Sequence, residues 1–199
     1  MTYNKSAQTR QNLIDATAGL LRSKGYSAMG LSEIIKISSV PKGSLYHHFP
    51  GGKQELASVT IMETGEKMAL TVEALVRKSE CVVEAVSRYF NHYIEQLEKT
   101  DFQNGCPLAT TALETATLTD TVQKACSKSF ALFEEMLTVQ LADTGLSSED
   151  AQKASIYTIA AFEGGQLLAK AHNDTQYLIS IRDQVTLHLE TIIQVNGNQ

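Results

Sequence analysis

Apolar side chains recur at spacings of three and four along almost the whole chain, and only three prolines, Pro41, Pro50 and Pro107, interrupt them. That rhythm fits one face of an α-helix, and strand-like alternation is scarce. It predicts an all-α chain of nine helices over residues 9–23, 31–38, 41–48, 53–77, 80–98, 106–115, 118–143, 148–172 and 175–195. The breaks have local causes. Gly25 suits the left-handed position after a helix end. Pro41 fits a helix start, where its missing N–H is not needed. Pro50, Gly51 and Gly52 stop the third helix. Ser147 or Ser148 offers a cap for the eighth, with Glu149 and Asp150 in its first turn.

The chain has 199 residues, 43% of them apolar, enough for one large domain or two small ones with a real core. No apolar stretch approaches the roughly 18–20 residues of a membrane span. The polar start at 1–10 has no signal-peptide pattern, so the expected compartment is the cytoplasm. Three cysteines, Cys81, Cys106 and Cys126, without C-x-x-C spacing, fit neither a disulfide framework nor a cysteine zinc site.

Charge divides unevenly. Residues 1–60 carry seven Lys/Arg and three acids, a balance of +4, while the remainder carries −9 and brings the total to −5. A basic head on an acidic body can dock on phosphates by one end. Chance variation over helical surfaces would give the same imbalance.

Residues 31–48 hold two short helices joined by a tight turn and preceded by a longer helix. That is a helix-turn-helix plan, whose second helix can lie in a major groove. Leu45 and Phe49 lie four apart and can anchor one face of the third helix. Lys42, Gly43, Ser44, Tyr46 and His47 are left for its other faces. Gly43 would permit close approach to a sugar-phosphate edge. Tyr46 and His47 offer donors to phosphate oxygens or base edges. Lys53 and the N–H groups at the start of the fourth helix make a candidate phosphate site. Tyr46 could instead pack within the head, and Lys42 could be merely solvated. His47 and His48 are poor metal ligands, because neighbours on a helix point apart and no Cys, Asp or Glu stands at ligand spacing. His48 is expected to cap or pack.

Gly25-Tyr26, Ile34, the run Val40-Pro41-Lys42-Gly43-Ser44-Leu45-Tyr46-His47-His48-Phe49-Pro50, and Lys53 resemble the DNA-binding head of the TetR family of bacterial transcriptional regulators. Gly105-Cys106-Pro107-Leu108-Ala109 and Phe162-Glu163-Gly164-Gly165 resemble the C-terminal domain of its LmrA/YxaF-like branch. Three features depart from the family pattern. Met29 and Gly30 stand where Thr or Ser often opens the second helix, leaving Ser32 as the nearest hydroxyl. Ser39 replaces the turn glycine. The loop at 50–53 is one residue longer, as in the narrower branch.

The resemblance implies a DNA-binding domain over 1–52 and a ligand-binding and dimerisation domain over 53–199. The expected DNA contacts are Ser32, Pro41, Lys42, Gly43, Ser44, Tyr46, His47 and Lys53. Two-fold dimers would hold their recognition helices about one duplex turn apart, roughly 34–36 Å. The eighth helix is apolar nearly all round over 156–162 and needs burial on two sides. Ala161, Gly164, Gly165, Leu168, Ile181, Val185 and Ile192 are the expected dimer contacts. Phe90, Tyr93, Cys106, Phe130, Phe133, Tyr157 and Phe162 are candidates for a ligand cavity, though each could be plain core. Cys106, beside Pro107 at a helix start, could be a redox switch or a core cysteine.

The resemblance further implies a homodimeric repressor of a palindromic operator in double-stranded DNA, released by a small, largely apolar or aromatic effector. An activator, a ligand-independent DNA-binding protein and a non-catalytic helical interaction protein are the alternatives. No cofactor motif is present: G-x-G-x-x-G, the Walker lysine motif and G-x-S-x-G are all missing. No acid completes a triad with Ser44 and the histidines. Glu163 fits a hydrogen-bonding role better than a catalytic one, so an enzyme is not expected.

Overall fold

A computed structural model describes residues 2–116 and 120–197, and its regular structure among these residues is nine α-helices and no strand. They are α1 (Thr2–Ala28), α2 (Leu31–Ser38), α3 (Lys42–His48), α4 (Gly52–Val76), α5 (Val82–Lys99), α6 (Pro107–Thr115), α7 (Asp120–Ala142), α8 (Ser148–His172) and α9 (Gln176–Gly197). The expected start of the seventh helix at Leu118 lies outside the described residues.

The first helix begins well before the expected Thr9. Polar side chains carry it through i,i+4 bonds: Thr9 Oγ1 donates to Lys5 O at 2.8 Å, and Gln8 pairs with Asn12 at 2.8 Å. Gly25, at φ 77° and ψ 180°, breaks this helix near its end, a conformation open to glycine alone at little cost. Ser147 caps α8, its hydroxyl accepting the Asp150 N–H at 3.1 Å.

Two compact units divide the chain. The first comprises Met1–Gly65 and Cys106–Phe130, the second Glu66–Gly105 and Ala131–Gln199. The first unit therefore extends beyond the span 1–52. Leu13, Leu21, Ile34, Leu45, Phe49 and Leu56 are fully or almost fully buried in it. α6 packs along α1. α4 and α7 touch closely where Gly65 meets Ser129, whose hydroxyl donates to Ile61 O at 3.2 Å.

The second unit is built on the facing sides of α5, α7, α8 and α9. Val86, Phe90 and Leu97 meet Phe133, Leu137, Phe162, Leu178 and Val185 in one apolar cluster. Gly165 lets α9 approach α8, since a Cβ there would stand 2.7 Å from Leu178 Cδ1.

Candidate nucleic-acid interface

The head of the first unit is built from α1, α2 and α3. α2 ends at Ser39, which takes the left-handed conformation at φ 55° without being glycine. The neighbouring Ser38 hydroxyl accepts the Val40 N–H at 3.3 Å and helps close the turn. Pro41, at φ −60° and ψ 147°, is the N-cap of α3, one position ahead of its expected place inside the helix.

α3 is anchored on one side and open on the other. Leu45 is 0% exposed and Phe49 1%. The Arg10 guanidinium lies 5.5 Å from the Phe49 ring centroid, and its Nη1 pairs with Glu63 at 3.0 Å. Pro41, Lys42, Gly43, Tyr46 and His47 are exposed, Ser44 is half-buried, and Ser32 is exposed on α2. Six of the eight expected DNA contacts are thus exposed on α2, α3 and the turn between them, and Ser44 is partly so. Ile37, also on α2, is 54% exposed and apolar.

The two histidines do not point apart as expected. Their rings meet edge to face, with centroids 5.2 Å apart, and His48 also lies 6.5 Å from the Phe49 ring. Among the described residues no three His, Cys, Asp or Glu side chains gather as metal ligands.

Lys53 is half-buried rather than free in solvent. Its ammonium lies 4.5 Å from the Tyr26 ring centroid and donates to Ser27 O at 3.5 Å. Burial lowers its pKa, and the negative charge of Glu114 acts the other way. The start of α4 is less open to an anion than expected. Gly51 N–H donates to Glu55 Oε2 at 2.7 Å, and Gly52 N–H donates to Phe49 O at 2.9 Å. A carboxylate of the chain already serves that helix start.

A separate small apolar cavity of about 20 Å³, part of it open to solvent, lies in the second unit. Phe90, Phe133 and Phe162 line it, as expected, together with Val72, Val86, Tyr89, Leu137, Thr158 and Ile159. Tyr93 stands behind this wall, its ring 5.0 Å from that of Phe162 and 4.9 Å from that of Tyr89. Four candidates, Tyr93 among them, are therefore not in the lining. Tyr157 is 45% exposed and stacks edge-on against His188. Cys106 and Phe130 belong to the first unit. The sequence did hold a signal for Tyr89, which precedes Phe90 and lies four before Tyr93. The Thr158 hydroxyl is buried with no hydrogen-bond partner among the described residues.

The expected dimer contacts also separate. Gly165 and Val185 are buried inside the subunit, where Gly165 makes room for Leu178, so neither is available to a partner. Ala161, Ile181 and Ile192 are partly buried against the second unit's own core. Gly164 has open space around its Cα, and Leu168 is 40% exposed.

Residues 13–59 match the model of the TetR family of bacterial regulatory proteins. Residues 82–184 match that of the LmrA/YxaF-like transcriptional regulator C-terminal domain. The HTH-type transcriptional regulator LmrA of Bacillus subtilis is 32% identical over 89% of this chain and 94% of its own. This chain belongs to the TetR family. The HTH-type regulator YxaF of the same organism is 30% identical, over 89% of this chain and 93% of its own. A solved TetR regulator from Legionella pneumophila shares the fold at a TM-score of 0.80, with 22% identity over 89% of this chain and 95% of that one. The TetR-family chain is therefore a DNA-binding transcriptional regulator, not an enzyme. Among its described residues no helix is long and apolar enough to cross a membrane.

Proposed function

We propose that this TetR-family chain is a ligand-responsive repressor that binds a palindromic operator as a homodimer. The observation that carries the reading is α3, which buries Leu45 and Phe49 while presenting Lys42, Tyr46 and His47 outward. A helix so anchored can enter a major groove with its polar side chains toward base edges and phosphates. Ser32, Pro41, Gly43, Ser44 and Lys53 complete the contact surface.

The dimer forms through α8 and α9. Ile156, Tyr157, Ala160, Gly164, Leu167 and Leu168 fall within roughly one third of the α8 circumference, opposite the side that packs on the core. Leu167 is 65% exposed on that face. Leu187 and Val195 add exposed apolar surface on α9. Such a face matches the two-fold packing of helix pairs between subunits.

The effector is a small apolar or aromatic molecule held by Tyr89, Phe90, Phe133 and Phe162. Binding favours a state with lower DNA affinity, so the two ligands oppose each other by linkage. Selection of bound duplexes from a random pool tests the reading. Recovery of an inverted repeat bound by a dimer supports it. A monomer, or recovery of no preferred duplex, overturns it.

A further inference from the structure

We propose that Glu114, on α6, is a positioning residue for DNA binding: its carboxylate fixes the turn at 25–27 that in turn holds Lys53 toward a phosphate. Glu114 Oε2 accepts the Ser27 N–H at 2.6 Å. Its other oxygen stands in the space that a side chain on Gly25 would fill. Gly25 breaks α1, which puts Ser27 at the start of a new turn, and N–H groups there need an acceptor from outside the helix. Glu114 supplies it with a charged oxygen, the stronger kind of acceptor.

The same short turn holds Lys53. Ser27 O accepts from the ammonium at 3.5 Å, and the Tyr26 ring faces it at 4.5 Å. Ser27 is thus gripped at both ends, its N–H by an anion and its carbonyl by a cation. An ammonium carries three donors, so Ser27 O engages one and the others can turn to a phosphate oxygen. The Glu114 charge also supports the protonated form of Lys53 against burial. Glu114 arrives from 87 positions downstream of Ser27, on a helix that packs along α1. The inference rests on the proposed role of Lys53 as a phosphate contact.

The test uses the full chain and a labelled random-sequence duplex, because phosphate contacts do not depend on sequence. Affinity is read by fluorescence anisotropy over a salt series, and folding by circular dichroism. Lys53→Ala, which removes one phosphate contact from each subunit of the dimer, is expected to lower the slope of log K against log salt by about 1.8. Glu114→Ala is expected to weaken binding about fivefold and to lower the slope by a similar amount. Glu114→Gln, which keeps an oxygen for the Ser27 N–H, is expected to retain most of the slope. Combining Glu114→Ala with Lys53→Ala is expected to add little to Lys53→Ala alone. If Glu114→Ala does not fold, Glu114→Asp keeps the charge while withdrawing the oxygen, and the same slope criterion applies. A normal slope in Lys53→Ala removes Lys53 from the contacts, and the proposal with it. A lowered slope in Lys53→Ala beside a wild-type slope in the folded Glu114 variant removes Glu114 alone. Full additivity in the double variant also overturns the proposal, since a merely structural defect would act whether or not Lys53 is present.

Discussion

Tyr46 is 43% exposed although Leu45 beside it is fully buried. One step along a helix turns a side chain by about 100°, which is how an anchored helix keeps a polar edge. Tyr46→Phe removes the ring hydroxyl and leaves the packing. The expected result is a loss of about 1 kcal/mol in duplex affinity with the dimer intact. Anisotropy titration checks it, and equal affinity strikes Tyr46 from the contacts. Gly25 carries a different demand, because φ 77° with ψ 180° is costly for any side chain. Gly25→Ala is expected to destabilise the first unit by about 2 kcal/mol, read from urea unfolding. Gly25 was legible in the sequence, since a glycine after a helical run signals a left-handed backbone. Its partner was not: no local pattern links it to Glu114. Lys53 was legible as a cation at a helix start, but its seat on Tyr26 depends on how separate helices pack.

α8 shows what an element's sequence can and cannot tell. Apolar residues all round it predicted burial on two sides, yet composition does not say which residue faces which side. Gly164 and Gly165 are adjacent and differ completely. Gly165 has Leu178 Cδ1 where its Cβ would be, while nothing lies within 4 Å of the same position on Gly164. Gly165→Ala is expected to cost about 1–3 kcal/mol of subunit stability through overpacking, measured by thermal unfolding. Gly164→Leu is expected to leave the subunit folded and to shift sedimentation toward monomer. An unchanged dimer mass would place the contact elsewhere. The cavity follows the same logic. Phe90, Phe133 and Phe162 were legible as inward aromatics, whereas Tyr157 sits on the outer side of the same helix as Phe162. An aromatic's spacing from its neighbours fixes its face only once one face is known to be core.

Across the molecule, the acidic total matters less to a duplex than the charges close to its contact surface. Debye screening at physiological salt is about 8 Å, so the cations of the head dominate, tempered by Glu63 on Arg10 and by Glu114 beside Lys53. Duplex affinity is expected to fall by at least about tenfold between 50 and 200 mM salt. A flat salt response in an anisotropy series would leave the head's charge without a role. The all-helical class and the helix-turn-helix were legible because hydrophobic period, glycines and prolines are local signals. The division into compact units was not. It depends on close approaches such as Gly65 to Ser129, where a Cβ would stand 2.6 Å from the serine Cβ.

The first unit takes in residues 106–130 as well as the head, and this sets the terms for any chimaera. Severing the chain after Gly65 and grafting the front piece onto a foreign body would leave Glu114 behind, with the Ser27 amide bare and Lys53 poorly held. A transplant that keeps its grip on DNA must bring that distant helix along, or find a substitute carboxylate in its new host.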